Sequence, residues 1–152
     1  MAIVCAGGIG SAAEFRRMMD LGYAGAQVGT RFIATTECSA HRDYKQAIID
    51  ATAKDIVLTE RLTGVPVAVI NNAYVQRLGL TAGPMARWML RGRRTKHWMR
   101  TIYALRSLRQ LKRDLHADKG AEEYWQAGAS VDGIDSVEPA DAIVRAFEAA
   151  LA

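Results

Sequence analysis

The 152-residue chain has the composition of a globular protein, since 50% of its residues are hydrophobic and 24% are charged. This length fits one domain or a part of a larger protein. The formal net charge is +4, and the basic excess is concentrated in one region. No apolar run approaches the ~20 residues of a membrane span, and the run 2–6 is too short for a signal peptide. We therefore expect a cytoplasmic protein whose partners include neither nucleic acid nor membrane.

The first 30 residues have the pattern of a βαβ unit. The apolar run 2–6 is typical of a strand buried on both faces. Ser11 and Glu14 have the spacing of a helix capping box, and 21–23 contain a glycine suited to the helix end. A second short strand follows at 25–29. The crossover connection predicts that the two strands run parallel.

The remainder of the chain predicts mixed elements. Ser39 could cap a second helix, with two β-rich runs at 56–59 and 65–70 after it. A loop at 120–133 precedes a terminal helix in which Pro139 takes the first position. The predicted buried face of that helix comprises Ile143, Val144, Phe147, Ala150 and Leu151.

Half of the Lys and Arg residues lie in the segment 83–118, which carries an apolar stripe at helical spacing. The simplest interpretation is a pair of helices with one packed face and one solvated basic face. Contact with an anionic substrate, an acidic partner or a membrane surface is the alternative. The two cysteines, Cys5 and Cys38, lack the spacing of a metal site and are too few for a disulfide framework.

Glycine-rich turns follow both predicted strands of the βαβ unit. Gly7-Gly8-Ile9-Gly10 follows the first strand, and Gly29-Thr30 follows the second. Neighbouring parallel strands end at the same sheet edge, so the amides of Gly8, Ile9, Gly29 and Thr30, with the Thr30 hydroxyl, could surround one phosphate. This arrangement matches the phosphate site of a (β/α)₈ barrel. The alternative is two unrelated tight turns, because neither GxGxxG nor a P-loop is present.

The segment AGGIGSAAEFRRMMDLGYAGAQVGTRFIATTECSAHRDYKQAI closely resembles the C-terminal part of the nitronate monooxygenase family, also called 2-nitropropane dioxygenases. The resemblance extends to Thr63-Gly64-x-Pro66, Asn71 and Trp125-x-Ala127-Gly128. These are FMN enzymes, and FMN-dependent enoyl-acyl-carrier-protein reductases carry a similar segment. The resemblance implies an α/β fold, namely the last two strands of a (β/α)₈ TIM barrel with an inserted, mostly helical lid.

This resemblance also implies the roles of particular residues. Gly7 and Gly8 would lie against the FMN phosphate in the first turn, and Gln27, Val28, Gly29 and Thr30 would do so in the second. Gln27 rests on the resemblance alone. The implied organisation is two βα units with the phosphate-binding turns at 1–35, a lid at 36–128, and the closing barrel helix at 129–152.

A whole barrel needs about 250 residues, so this chain resembles only a C-terminal portion. The family's catalytic histidine region has no counterpart, and we assign no catalytic residue. His41 is predicted to cap a helix or lie at the surface, with proton transfer as the alternative, while His97 and His116 lie in the basic segment. Uncovered apolar surface at 3–6 and 24–28 predicts self-association or pairing with an N-terminal half. The isolated chain is expected to bind FMN weakly or not at all.

The resulting hypothesis is the FMN-phosphate-binding part of a flavoenzyme that oxidises alkyl nitronates with O₂. An FMN-dependent enoyl-acyl-carrier-protein reductase is a second hypothesis, in which the basic segment would meet an acidic carrier protein. A non-catalytic interaction module built on the basic segment is a third. Salt dependence and NAD(P)H oxidation would separate the second hypothesis from the first.

Overall fold

The computed structural model describes residues 1–61, 66–81 and 124–152. The chain divides into two compact units, Met1–Ile56 with Trp125–Ala152, and Val57–Tyr124. The basic segment 83–118 and the Thr63-Gly64 pair lie outside the described residues.

The first unit begins with the predicted βαβ arrangement. Strand β1 (Val4–Ala6) is followed by helix α1 (Ala12–Asp20) and strand β2 (Gly25–Gln27). The strands pair in parallel, with Val4 opposite Gly25 and Ala6 opposite Gln27. The prediction of parallel neighbouring strands is therefore confirmed, and both strands end at the same sheet edge.

Helix α1 begins and ends at the residues that the sequence indicates. Ser11 and Glu14 form a reciprocal capping box, in which each side chain accepts a hydrogen bond from the other residue's backbone N–H. Leu21 is the C-terminal cap. The next residue, Gly22, has φ +91°, a left-handed conformation that glycine adopts readily and that ends many helices.

Two helices follow β2, the short α2 (Thr30–Ile33) and α3 (Arg42–Asp50). The predicted cap Ser39 is wrong: α3 is capped by His41, whose Nδ1 accepts a hydrogen bond from the Asp43 N–H at 3.2 Å. A histidine can take this role because its neutral ring has one acceptor nitrogen. The capping role considered for His41 is therefore the one that the structure shows.

The C-terminal segment contains a 3₁₀ turn (Ala129–Gly133) and helix α5 (Ala140–Ala149). Pro139 lies one position before the helix rather than in its first turn. The predicted buried face is partly wrong. Ile143 is buried, but Val144 and Leu151 are 44% and 52% exposed.

Helix α5 packs against α1 through an aromatic pair. The rings of Phe15 and Phe147 are stacked with centroids 5.0 Å apart, and Arg16 donates to the Ala150 carbonyl at 2.7 Å. At the other end of α5, the Glu37 carboxylate accepts the Ala140 N–H at 3.0 Å. These contacts join the two ends of the chain within the first unit.

The buried core of the first unit includes Ile9, Ala34, Ile48, Ala127, Val131, Ile134 and Ile143. Strand β1 itself is poorly covered. Ile3 and Val4 are 55% and 57% exposed, so the strand is not buried on both faces as its composition predicts. The exposed apolar surface at the start of β1 agrees with the prediction for 3–6.

The second unit begins within β3 (Ile56–Thr59), which forms a two-stranded sheet with β4 (Val67–Ile70). Helix α4 (Ala73–Leu78) follows, which the sequence reasoning missed. Its signal was Asn72, whose side chain caps the helix by accepting the Val75 N–H at 2.9 Å. Among the helices that can be described, none is long and apolar enough to cross a membrane.

Candidate functional site

The two glycine-containing turns lie side by side. The parallel register places Ala6 opposite Gln27 at the ends of β1 and β2. The ladder extends by one weaker bond, in which the Gly7 N–H donates to the Gln27 carbonyl at 3.5 Å. The residues that follow each strand therefore leave the sheet at the same edge, as the two-turn argument requires.

Gly7 and Gly8 give the first turn its shape. Their φ angles are +88° and +72°, a region in which residues with a Cβ are strained. A Cβ added at either position would meet nothing within 4 Å. The space over this turn is therefore open, and a ligand could approach the backbone closely.

The side chain of Ile9 attaches the first turn to the core of the first unit. This side chain is 1% exposed and belongs to the core. Within residues 1–61, 66–81 and 124–152, the backbone N–H groups of Gly8 and Ile9 donate to no acceptor. Two amides are thus available at a turn whose position the Ile9 side chain holds, which is the combination that anion-binding turns use.

The second turn consists of Gln27, Val28, Gly29 and Thr30. Gln27 ends β2 and is exposed. Gly29 precedes α2 with φ −120°, and a Cβ there would also meet open space. The Gly29 and Thr30 amides have no acceptor in the described ranges. The Thr30 Oγ1 is engaged, because it accepts the Gly128 N–H at 3.1 Å.

The N-terminus of α1 is not available to a ligand. The Glu14 carboxylate accepts the Gly10 N–H at 2.7 Å and the Ser11 N–H at 3.0 Å. This negative charge already complements the positive end of the helix dipole. An anion would therefore lie at Gly7 and Gly8, away from Glu14, and neither turn contributes a charged side chain of its own.

Gly10, the last glycine of the first turn, has a different role. A Cβ there would lie 2.0 Å from the Ser130 carbonyl oxygen, and 3.1 Å from the Gly133 backbone. Gly10 is therefore required because the 3₁₀ turn Ala129–Gly133 crosses its backbone closely. Sequence reasoning did not separate this packing glycine from Gly7 and Gly8.

The residue after the second turn, Arg31, is buried and forms an ion pair with the partly exposed Glu138. Arg31 is 5% exposed; its guanidinium donates to the Ser136 carbonyl at 2.7 Å and pairs with the Glu138 carboxylate. A cavity of about 190 Å³ adjoins this pair and Gly10. The guanidinium that lines this cavity already has polar partners. Sequence reasoning missed Arg31, since its partners lie more than 100 residues away.

Other candidate chemistry is limited in the described ranges. No group of three or more His, Cys, Asp or Glu side chains is placed to hold a metal ion in residues 1–61, 66–81 and 124–152. His41 is occupied as a helix cap. The two adjacent turns therefore remain the candidate site, with an open approach, four available amides and one hydroxyl.

Two curated relatives each align with half of this chain. A probable nitronate monooxygenase from Staphylococcus saprophyticus is 36% identical over 76 residues, which are 50% of this chain and 21% of that protein. A second, from Staphylococcus haemolyticus, is 32% identical over the same length. The aligned part of the chain thus spans about a fifth of these curated relatives.

Solved structures show a similar fold. The nitroalkane oxidase from Streptomyces ansochromogenes has a TM-score of 0.68 at 24% identity, covering 99% of this chain and 39% of the other. FabK from Thermotoga maritima gives a TM-score of 0.62 at 23% identity, covering 99% of this chain and 45% of the other. Over residues 1–148, the sequence matches the family described as nitronate monooxygenase. The protein therefore belongs to the nitronate monooxygenase family.

Proposed function

We propose that the two adjacent turns bind the phosphate group of FMN. The observation that carries this proposal is the open space over Gly7 and Gly8, which have positive φ and lie beside the turn that begins at Val28. Phosphate oxygens are strong acceptors, and unpaired backbone amides on a Gly-rich turn are suitable donors. Gly7 and Gly8 would shape the first side of the site, and Gln27, Val28, Gly29 and Thr30 the second.

The chemical role proposed for the whole enzyme is oxidation of alkyl nitronates by O₂, in line with the family of this chain. Bound flavin supplies the redox chemistry in such enzymes. The part of this chain is to hold and orient the cofactor through its phosphate. We further propose that β1 and β2 belong to a (β/α)₈ barrel, of which this chain supplies a C-terminal portion. Reduction of enoyl thioesters with NAD(P)H stays a sequence-based alternative, tested by NAD(P)H oxidation.

Binding can be tested by NMR titration of the ¹⁵N-labelled chain with FMN and with riboflavin, which lacks the phosphate. We expect FMN to shift the amide resonances of Gly8, Ile9, Gly29 and Thr30, and riboflavin to leave them unchanged. Equal shifts with both compounds would contradict a phosphate site. Because the chain carries only part of a barrel in this proposal, the titration should extend to millimolar FMN.

The matched variants are Gly8→Ala and Gly22→Ala. Both glycines have positive φ and open surroundings, at +72° and +91°, so both substitutions cost about 1 kcal/mol of stability through the same backbone strain. Only Gly8→Ala places a methyl group where the phosphate would lie. We expect it to weaken FMN binding at least tenfold, whereas Gly22→Ala keeps the wild-type affinity. Equal affinities of the two variants would refute the assignment.

We also propose that the apolar surface of β1 is covered by further polypeptide, either an N-terminal half or another copy of the chain. Ile3 and Val4 are more than half exposed, and β1 has β2 as its only strand neighbour in the described residues. Analytical ultracentrifugation tests this: Val4→Lys should reduce self-association. Val144→Lys, on an exposed position of α5, is the control and should not.

A further inference from the structure

The Thr30 hydroxyl connects the second turn to the segment that carries Trp125. It accepts the Gly128 N–H at 3.1 Å. A threonine hydroxyl has one hydrogen to donate in addition to its acceptor lone pairs. In the ranges 1–61, 66–81 and 124–152, Thr30 Oγ1 has the Gly128 N–H as its hydrogen-bond partner and donates to no protein acceptor. Thr30 can therefore donate to a ligand while it still holds Gly128.

The segment Trp125–Gly128 has a second attachment, on helix α3. The rings of Tyr44 and Trp125 are stacked, with centroids 6.0 Å apart and an interplanar angle of 11°. The Tyr44 hydroxyl also donates to the Gln126 carbonyl. Ala127 is 3% exposed, whereas Gln126 is exposed. The segment is thus held at its aromatic end by α3 and at its glycine end by Thr30.

The continuation of the same segment contacts the first turn. Gly128 precedes the 3₁₀ turn Ala129–Gly133, and its carbonyl accepts the Val131 N–H at 3.3 Å. In that 3₁₀ turn, the Ser130 carbonyl lies against Gly10. The segment from Trp125 to Gly133 therefore contacts residues from both turns of the candidate site.

We propose that Thr30 is a positioning residue through which a phosphate monoester at the two turns stabilises the Trp125–Gly128 segment. This inference rests on the proposed phosphate site. When the Thr30 hydroxyl donates to a phosphate oxygen, its oxygen becomes a stronger acceptor for the Gly128 N–H, because hydrogen bonds in a chain polarise one another. The phosphate thereby fixes the segment beside the cofactor site. By thermodynamic reciprocity, loss of the Gly128 bond weakens phosphate binding by the same factor.

The probe is inorganic phosphate, and the measurement is hydrogen exchange of the Gly128 amide in the full chain by NMR. The Ala150 amide, bonded to the Ala146 carbonyl within α5, is the internal reference. We expect saturating phosphate to slow Gly128 exchange about fivefold or more relative to Ala150, the range of ordinary coupling between sites. Phosphate-induced shifts at Gly8 and Ile9 report on the site itself.

Three variants separate coupling from a merely structural effect. Thr30→Ser keeps the hydroxyl and should keep the phosphate-dependent protection. Thr30→Val has a similar shape without the hydroxyl, so Gly128 exchange should become independent of phosphate while Gly8 still shifts. Thr36→Val is the control, because it removes an exposed hydroxyl that donates to Glu37, away from both turns, and should behave as wild type.

The outcomes distinguish the two proposals. Shifts at Gly8 without protection of Gly128 in the wild-type chain would overturn the coupling and leave the phosphate site in place. Absence of both effects would overturn the phosphate site and the coupling together. If Thr30→Val does not fold, the wild-type and Thr30→Ser measurements still decide, since a fivefold protection retained by serine supports the coupling and its loss refutes it.

Discussion

Gly10→Ala should destabilise the protein although Gly10 does not have a positive φ. The φ of Gly10 lies outside the left-handed region, so alanine alone would stabilise by about 0.4–1 kcal/mol through the unfolded chain. The added Cβ, however, would lie 2.0 Å from the Ser130 carbonyl oxygen. Both atoms belong to or adjoin the backbone, so neither can move aside by a simple rotamer change.

The expected net loss follows from these two opposing effects. Overpacking of a tight site costs typically about 1–3 kcal/mol and occasionally more. The 2.0 Å contact is far below any normal Cβ distance, which places this substitution at the upper end. After the unfolded-state gain is subtracted, we expect the free energy of unfolding to fall by about 2 kcal/mol or more.

The assay is urea unfolding followed by far-ultraviolet circular dichroism. With a slope of about 2 kcal/mol per molar urea, the midpoint should fall by roughly 1 M. Gly29→Ala is the control, because a Cβ at Gly29 would meet nothing within 4 Å and its φ is −120°. An unchanged midpoint for Gly10→Ala, or an equal loss for Gly29→Ala, would refute the argument.

Two further predictions concern helix ends. The Ala140 N–H holds the pKa of Glu37 below its ordinary value of 4.5. The ionised Glu37 therefore stabilises the fold above pH 4.5, and this contribution is lost as the pH falls through the lowered pKa. Between pH 7 and pH 3, the unfolding midpoint should decrease less for Glu37→Gln than for the wild type. Glu14→Ala removes the acceptor for the Gly10 and Ser11 amides, so the free energy of unfolding should fall by about 1 kcal/mol, as measured by thermal unfolding. The control is Glu148→Ala, at an exposed position near the end of α5, which should leave the stability unchanged.

Features encoded by neighbouring residues could be predicted from the sequence. The capping box of Ser11 and Glu14 involves residues three positions apart, and the structure contains it. The positive φ of Gly7 and Gly8 follows from glycine after a strand in a tight turn. The parallel pairing of β1 and β2 follows from the helix that connects them, because such a crossover returns the chain to the end of the sheet where β1 began. Each of these features depends on residues that are close together in the chain, so the type and spacing of those residues predict it.

Features that depend on distant residues could not be predicted in this way. The need for glycine at position 10 comes from Ser130 and Gly133, and the burial of Arg31 depends on Ser136 and Glu138. The spacing of residues in the sequence does not indicate which distant segment of backbone will contact Gly10 or Arg31. The error at α3 has another cause, because both Ser39 and His41 can accept a hydrogen bond at a helix start and tertiary context decides between them.

The same distant contacts explain how the two turns are held in place despite the small sheet. The ladder between β1 and β2 spans only three residue pairs, and an isolated pair of strands is at best marginally stable. The C-terminal segment contacts each turn, with Ser130 against Gly10 and Gly128 bonded to Thr30, and Ser136 also accepts a hydrogen bond from Arg31 next to the second turn. The geometry of the candidate phosphate site therefore depends on residues 128–138 as much as on strand pairing, and substitutions in that segment should alter ligand binding without touching either glycine turn.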